Sequence, residues 1–255
     1  MGIIETEGIV TREVKYGDSS RILTIITKDF GKISALAGGV RTNKSGLLSA
    51  TQLFSYSSFT FFKGREKSLY KINTGEIISP FSSIRLSLEK MAYASYFCDI
   101  TNFVVQEEAP EPEQVSLLLN TLYMLSEDKL PYEQIKSIFE FRTLGIFGML
   151  PDISHCHHCN SVENLSYLNT AEGFALCDKC SKIHTSPAVY TGNGILQAIS
   201  FIALADAKKI FAFSLPEKSL EYLSQMGEYF IETYLEHHFK TLDYLKKVTA
   251  LSDIE

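Results

Sequence analysis

The sequence has no stretch approaching roughly 18 uninterrupted apolar residues, which excludes an ordinary membrane-spanning helix. Met1 to Val10 lacks the positively charged start and apolar run of a secretory signal and carries Glu5 and Glu7 instead. Met1-Gly2-Ile3-Ile4-Glu5-Thr6 fits the loose acylation pattern, but the segment reads better as a first strand. There is no internal repeat, no low-complexity run and no G-x-x-x-x-G-K-[S/T] phosphate loop. A hydrolase or nuclease needs a metal-binding carboxylate cluster, a Ser/His/Asp set or an open zinc site, and none is legible. His237-His238 has no acid at metal-site spacing. These absences lead to the expectation of a cytoplasmic protein that is not an enzyme and does not touch a membrane.

What is present supports a globular chain. Its 255 residues are 45% hydrophobic and 21% charged, enough apolar material for a sizeable core in one large domain or two to three small modules. The net charge of −6 hides an asymmetry. Residues 1–80 hold 11 Lys/Arg against 7 Asp/Glu, a balance of +4, and residues 81–255 hold 13 against 23, a balance of −10. A basic module joined to an acidic one is implied, and a polyanion responds to the local patch because salt screens charge beyond about 8–10 Å.

The five cysteines divide further. Cys98 stands alone in an apolar run and reads as a small core residue. The other four form two knuckles, Cys156-His157-His158-Cys159 and Cys177-Asp178-Lys179-Cys180, separated by the 17 residues 160–176. Paired C-x2-C turns about 15–20 residues apart present four thiolates that can complete a tetrahedron around Zn²⁺. Four protein ligands leave no open position for water, so the expected zinc is structural. His155, His157, His158 and His184 crowd the knuckles, and any of them could replace a cysteine. Since four cysteines suffice, solvated histidines on a short loop are expected.

From Ile3 to about Ile78 the pattern is β, with strands around Gly8–Val10, Arg21–Thr27, Lys32–Ala37, Leu53–Lys63 and Ser68–Ile78. Five short strands suit a small closed barrel. Period two places Phe54, Tyr56, Ser58, Thr60 and Phe62 on one face of the fourth strand, where core packing is expected for most of the rings. Between the third and fourth strands lies Gly38-Gly39-Val40-Arg41-Thr42-Asn43-Lys44-Ser45-Gly46, whose glycines admit close backbone approach to phosphates and whose two cations can neutralise them. A solvated flexible loop is the alternative. From Ser82 the period becomes helical, over 83–105, 112–127 and 131–148, with an acidic, proline-bearing break at Glu107–Pro112. Helices are expected again over 191–209 and as one long element over 216–247, striped by Leu220, Leu223, Gly227, Phe230, Tyr234 and Leu245.

Several pieces in order along the chain carry a resemblance: Gly8-Ile9-Val10, Tyr16-Gly17, Arg21-Ile22-Leu23-Thr24, Gly31–Ala37, the Gly39–Ser45 loop, Leu53-Phe54, Phe139-Glu140-Phe141-Arg142, Gly148-Met149-Leu150-Pro151 and the cysteine knuckles. Together they resemble the RecO family of bacterial recombination mediators. The resemblance implies an α+β multidomain fold, with an N-terminal OB-fold five-stranded β-barrel at 1–80. An α-helical domain follows at 81–255, interrupted at about 152–186 by a zinc-binding insertion with four cysteine ligands. It implies binding of single- and double-stranded DNA, annealing of complementary strands, and action with RecR and single-strand DNA-binding protein to load RecA in the bacterial cytoplasm. A hydrophobic pocket for the tail of the single-strand binding protein is implied in the helical domain. The loop departs from the family pattern in carrying only Arg41 and Lys44.

The expected DNA contacts are Arg41 and Lys44 on that loop, then the turn pair Lys63 and Arg65, then Arg21, which could instead pair with Asp18 or Glu13. The expected zinc ligands are Cys156, Cys159, Cys177 and Cys180. The competing reading is a zinc-containing protein-interaction adaptor with weak DNA contact, favoured by the acidic balance of residues 81–255.

Overall fold

The computed structural model describes residues 2–18, 20–38, 47–63 and 69–252. The first elements in chain order are β1 (Gly2–Tyr16), β2 (Ser20–Thr27), β3 (Gly31–Ala37), the short α1 (Leu47–Ala50), β4 (Tyr56–Lys63) and β5 (Tyr70–Ser79). Then come α2 (Leu88–Val104), α3 (Pro112–Ser126), α4 (Tyr132–Ile146), β6 (Asp152–Cys156), β7 (Leu165–Asn169), β8 (Phe174–Cys177) and β9 (Val189–Tyr190). The chain ends with α5 (Asn193–Leu204), α6 (Glu217–Tyr234) and α7 (Lys240–Ser252). These form two compact units, one of Met1–Leu130 with Phe239–Glu255, the other of Pro131–His238.

In the first unit, β1 is long enough to serve two partners. Its first half pairs antiparallel with β4, from Gly2↔Lys63 to Ile9↔Tyr56, and its second half with β2, from Gly8↔Thr27 to Tyr16↔Ser20. A register shift between Val10 and Arg12 turns the strand from one partner to the other. The strand order is β1-β2-β3-β5-β4, with β4 also on β1. The interior is filled by Val10, Leu23, Ile25, Ile33, Phe59, Phe61 and their neighbours, with the Phe59 and Phe61 rings 5.4 Å apart.

The expected fold class, an OB-fold five-stranded β-barrel followed by an α-helical domain with a four-cysteine zinc-binding insertion, is corrected on two counts. First, the strands are not uniformly laddered: β3 meets β5 through only two parallel pairs, Ala35↔Tyr70 and Leu36↔Lys71, while the other neighbours pair antiparallel over seven or eight. β3 and β5 run parallel and are separated in the chain by β4, so no hairpin turn sets their register. Second, the expected insertion at about 152–186 is a four-stranded sheet of order β6-β8-β7-β9 that runs on to Tyr190, past its expected end.

In the first compact unit, α2, α3 and α7 group with the N-terminal strands. Ser87 starts α2, its hydroxyl accepting from the Lys90 amide at 3.3 Å, and Pro112 opens α3. The stripe on 216–247 does not run on one helix. α6 ends at Tyr234, Glu236 takes the left-handed φ of 49°, and α7 begins at Lys240. The face of β4 differs from its expected sense too. Ser57, Phe59 and Phe61 point inward, whereas Tyr56 is half-buried and Phe62 exposed. Phe54 is buried, but it precedes the strand at φ 70°, and that turn reverses the alternation.

Candidate metal centre and nucleic-acid surface

The two cysteine knuckles are set at the ends of neighbouring strands. Cys156 closes β6 and Cys177 closes β8, which lie side by side and parallel. After Cys156 the chain turns tightly: the Asn160 amide donates to the Cys156 carbonyl at 2.8 Å, and Asn160 adopts φ 58°. After Cys177 a single 3-10 turn begins at Cys180, whose carbonyl accepts from the amides of Ile183 at 3.1 Å and His184 at 2.9 Å. The four sulfurs consequently lie within 4.8 Å of one another, with Cys156, Cys177 and Cys180 buried and Cys159 exposed.

This is the separation a tetrahedral metal site requires. With metal–sulfur bonds of about 2.3 Å, the edge of a tetrahedron of four sulfurs is about 3.8 Å. Cys159 Sγ and Cys177 Sγ are 3.8 Å apart. All five cysteines are free thiols. Burial pushes the Cys156 thiol up, but amide donors from Cys177, Cys159 and His158 outweigh it and bring Cys156 down to about 6. Cys180 is pushed up to about 12, by burial and then by its sulfur neighbours. Negative charge on four sulfurs this close together is mutually repulsive, and a bound dication would offset it. The arrangement can hold a metal ion.

The histidines stand around this cluster. His157 stacks on Phe174 with ring centroids 4.2 Å apart, and His184 meets the same ring edge-on at 5.3 Å. His155 approaches Asp152 at 3.7 Å. Among the described residues, the group with metal-ligand geometry is the four cysteines.

Of the expected DNA-contacting cations, Arg21 and Lys63 lie among the described residues. Arg41, Lys44 and Arg65 lie outside the described residues. Arg21 Nη1 donates to Glu13 Oε2 at 2.7 Å, one of the two local pairings expected from the sequence. Lys63 Nζ donates to Glu108 Oε1 and lies 5.3 Å from the centre of the Tyr70 ring. Hydrogen bonding to Glu108 and then Tyr70 holds the Lys63 ammonium above its ordinary range, and Lys63 holds the Glu108 carboxyl below its own. Arg21 and Lys63 sit on β2 and β4, strands that are not neighbours.

Sequence reasoning misses two features of this surface. Ile3, Phe62, Lys71 and Asn73 line a shallow pocket of about 320 Å³ on the outer face of β1, β4 and β5. The period-two alternation holds that signal, with its sense reversed. The acidic break at 107–112 looks like punctuation alone, yet it supplies Glu108 to Lys63. In the second unit, a small pocket of about 160 Å³ is lined by Leu150, Pro151, Ile153, Ile199, Ala203 and Leu204 among others.

Comparison with known proteins covers nearly the whole chain. The family model "Recombination protein O N terminal" matches residues 1–81, and "Recombination protein O C terminal" matches residues 85–243. A protein of Acetivibrio thermocellus named DNA repair protein RecO is 37% identical over 252 residues, spanning 98% of this chain and 99% of that one. Proteins of the same name are 30% identical over 248 residues in Alkaliphilus metalliredigens, covering 96% of this chain and 100% of theirs, and 26% identical over 254 residues in Bacillus subtilis, covering 99% and 97%. No described helix is long and apolar enough to cross a membrane.

Proposed function

The chain belongs to the recombination protein O family, and from that premise we propose that it is a non-enzymatic DNA-binding mediator of recombinational DNA repair in the bacterial cytoplasm. The observation that carries this reading is the match of both family models, in order, across nearly the whole chain. In this role it binds single- and double-stranded DNA and anneals complementary strands. With RecR, it helps RecA onto DNA coated by single-strand binding protein. Annealing requires no covalent chemistry, only two polyanions held close with their bases free, so distributed cations and exposed rings suffice. The candidate contacts remain Arg41, Lys44, Lys63, Arg65 and Arg21, with Phe62 and Lys71 added by the outer pocket. The apolar pocket beside α5 is the candidate seat for the tail of the single-strand binding protein.

In this reading Cys156, Cys159, Cys177 and Cys180 hold Zn²⁺. The all-sulfur donor set favours a soft or borderline dication, and the closed tetrahedron gives it a structural role, joining the ends of β6 and β8.

A second reading, an adaptor with weak DNA contact, is favoured by one observation: the two described candidate cations, Arg21 and Lys63, already face carboxylates. One experiment separates the readings. Complementary oligonucleotides coated with the cognate single-strand binding protein are annealed with and without the full chain. Acceleration that fades with salt supports the mediator, while no acceleration and no salt-dependent binding leaves the adaptor.

A further inference from the structure

Beyond α2, the acidic segment 106–111 is strapped to the N-terminal strands. The Lys32 amide donates to the Gln106 carbonyl at 3.1 Å, and Glu107 bridges to Gly31 and Lys32. Lys32 Nζ donates to the Asn102 carbonyl at 2.8 Å. Gly31 is required for this approach: at φ +65° a Cβ there would lie 2.2 Å from the Ala109 carbonyl oxygen. Glu108 is itself in the left-handed region at φ 56°, an unfavourable conformation for glutamate that the strap imposes. A single oxygen of its side chain, Oε1, accepts from both Lys63 Nζ and the Tyr70 hydroxyl, the latter at 3.1 Å.

An ammonium and a phenol converging on one oxygen of an anion is also how a non-bridging phosphate oxygen is held. Lys63 and Glu108 side chains are 42% and 60% exposed, so an external anion can exchange with the carboxylate without opening the core. Building on the DNA-binding reading above, we propose that Lys63 and Tyr70 form a subsite for a nucleic-acid phosphodiester, and that Glu108 occupies it as an internal stand-in for the phosphate. Lysine and glutamate are both charged at neutral pH, and here each further stabilises the ionised form of the other. DNA binding at this end of β4 is therefore a competition between two anions. Glu108 sets how much nucleic acid is needed before Lys63 is released to it.

The test uses the full chain and a labelled oligo-dT, titrated at several salt concentrations. Glu108→Gln is expected to tighten binding roughly two- to five-fold at low salt, the worth of an exposed ion pair. It should also steepen the slope of log K against log salt by about 0.7, the signature of one added single-strand phosphate contact. Glu108→Asp keeps the charge, shortens the reach and suits the left-handed backbone better, so it should also tighten binding and keeps the test valid if the glutamine variant folds poorly. Lys63→Met added to either variant should abolish the gain. Glu107→Gln, removing an exposed neighbouring charge, should not reproduce the change in slope. The subsite is overturned if wild type binds DNA and both Glu108 variants match it, or if Glu107→Gln gives the same gain and slope, which would mean a general field effect. Failure of wild type and all variants to bind DNA overturns the DNA-binding reading together with the subsite.

Discussion

Lys136 on α4 reaches Glu140 one turn further on at 3.2 Å, Glu228 of α6 at 3.0 Å, and the Ser224 carbonyl at 3.1 Å. The lysine and Glu140 side chains are 4% and 0% exposed, so both charges are held out of water. Such a pair adds little net stability over an apolar pair of the same shape, but removing the lysine takes the nearest opposite charge from a buried carboxylate. Lys136→Met is therefore expected to lower unfolding free energy by about 3–5 kcal/mol in urea denaturation. The same network explains Gly227, where an added Cβ would lie 2.2 Å from Glu140 Oε2. Gly227→Ala should cost roughly 1–3 kcal/mol by overpacking in the same measurement. Two residues beyond Glu140, Arg142 donates to the carbonyls of Ile202 and Ala203 in the last turn of α5. The Phe139-Glu140-Phe141-Arg142 run thus joins two buried rings, a buried ion pair and a helix C-terminal cap, roles that residue type and spacing do not reveal.

At the scale of elements, β6 and β8 are short strands whose last residues are metal-ligand candidates. Short strands of four and five residues contribute few ladder bonds, so a metal held by the four sulfurs would add a cross-link between the two turns. Cys177→Ser is expected to remove most bound metal, measured per chain by elemental analysis, and to lower the thermal midpoint of the second unit. The N-terminal strands should keep their fold, because their core is built from other residues. Because zinc competes with protons for thiolates, metal retention should fall as pH is lowered. Retention that is independent of pH, or a full metal complement in the serine variant, would remove the cysteines from the role assigned to them.

For the molecule as a whole, the path of the chain matters as much as its elements. After α6 it leaves the second unit and contributes α7 to the first. Phe239 is fully buried there, edge-on to Tyr96 with centroids 6.0 Å apart and to Phe103 at 5.8 Å, and Thr241 donates to Asp99 at 2.7 Å. Truncation after His238 would uncover α2 and delete the buried side chains of Phe239, Leu242, Leu245 and Val248. The truncated chain is expected to lose much of the stability of its first unit. Hydrogen exchange should show this as reduced protection in α2, with protection in α4 and α6 retained. Uniform protection in both chains would show that α7 is dispensable.

Local signals in the amino-acid order define part of this molecule. The knuckles are legible because ligand identity and spacing lie within one turn each. Helices over 83–105, 112–127 and 131–148 are legible because an apolar period recurs over many residues. Strands are legible as strands, but their partners are not: the two-pair β3–β5 contact depends on the course of the chain between Ala37 and Tyr70. Nor is the face of β4, which the left-handed turn at Phe54 reverses. The helical stripe over 216–247 continues in composition through a break that a backbone turn at Glu236 imposes. Which acid meets which base is settled by packing. Arg21 finds Glu13 across a β-pair, whereas Lys63 finds Glu108 across 45 residues of chain. The first pairing is local enough to be offered by the sequence; the second is not, and the fold of the strap supplies it.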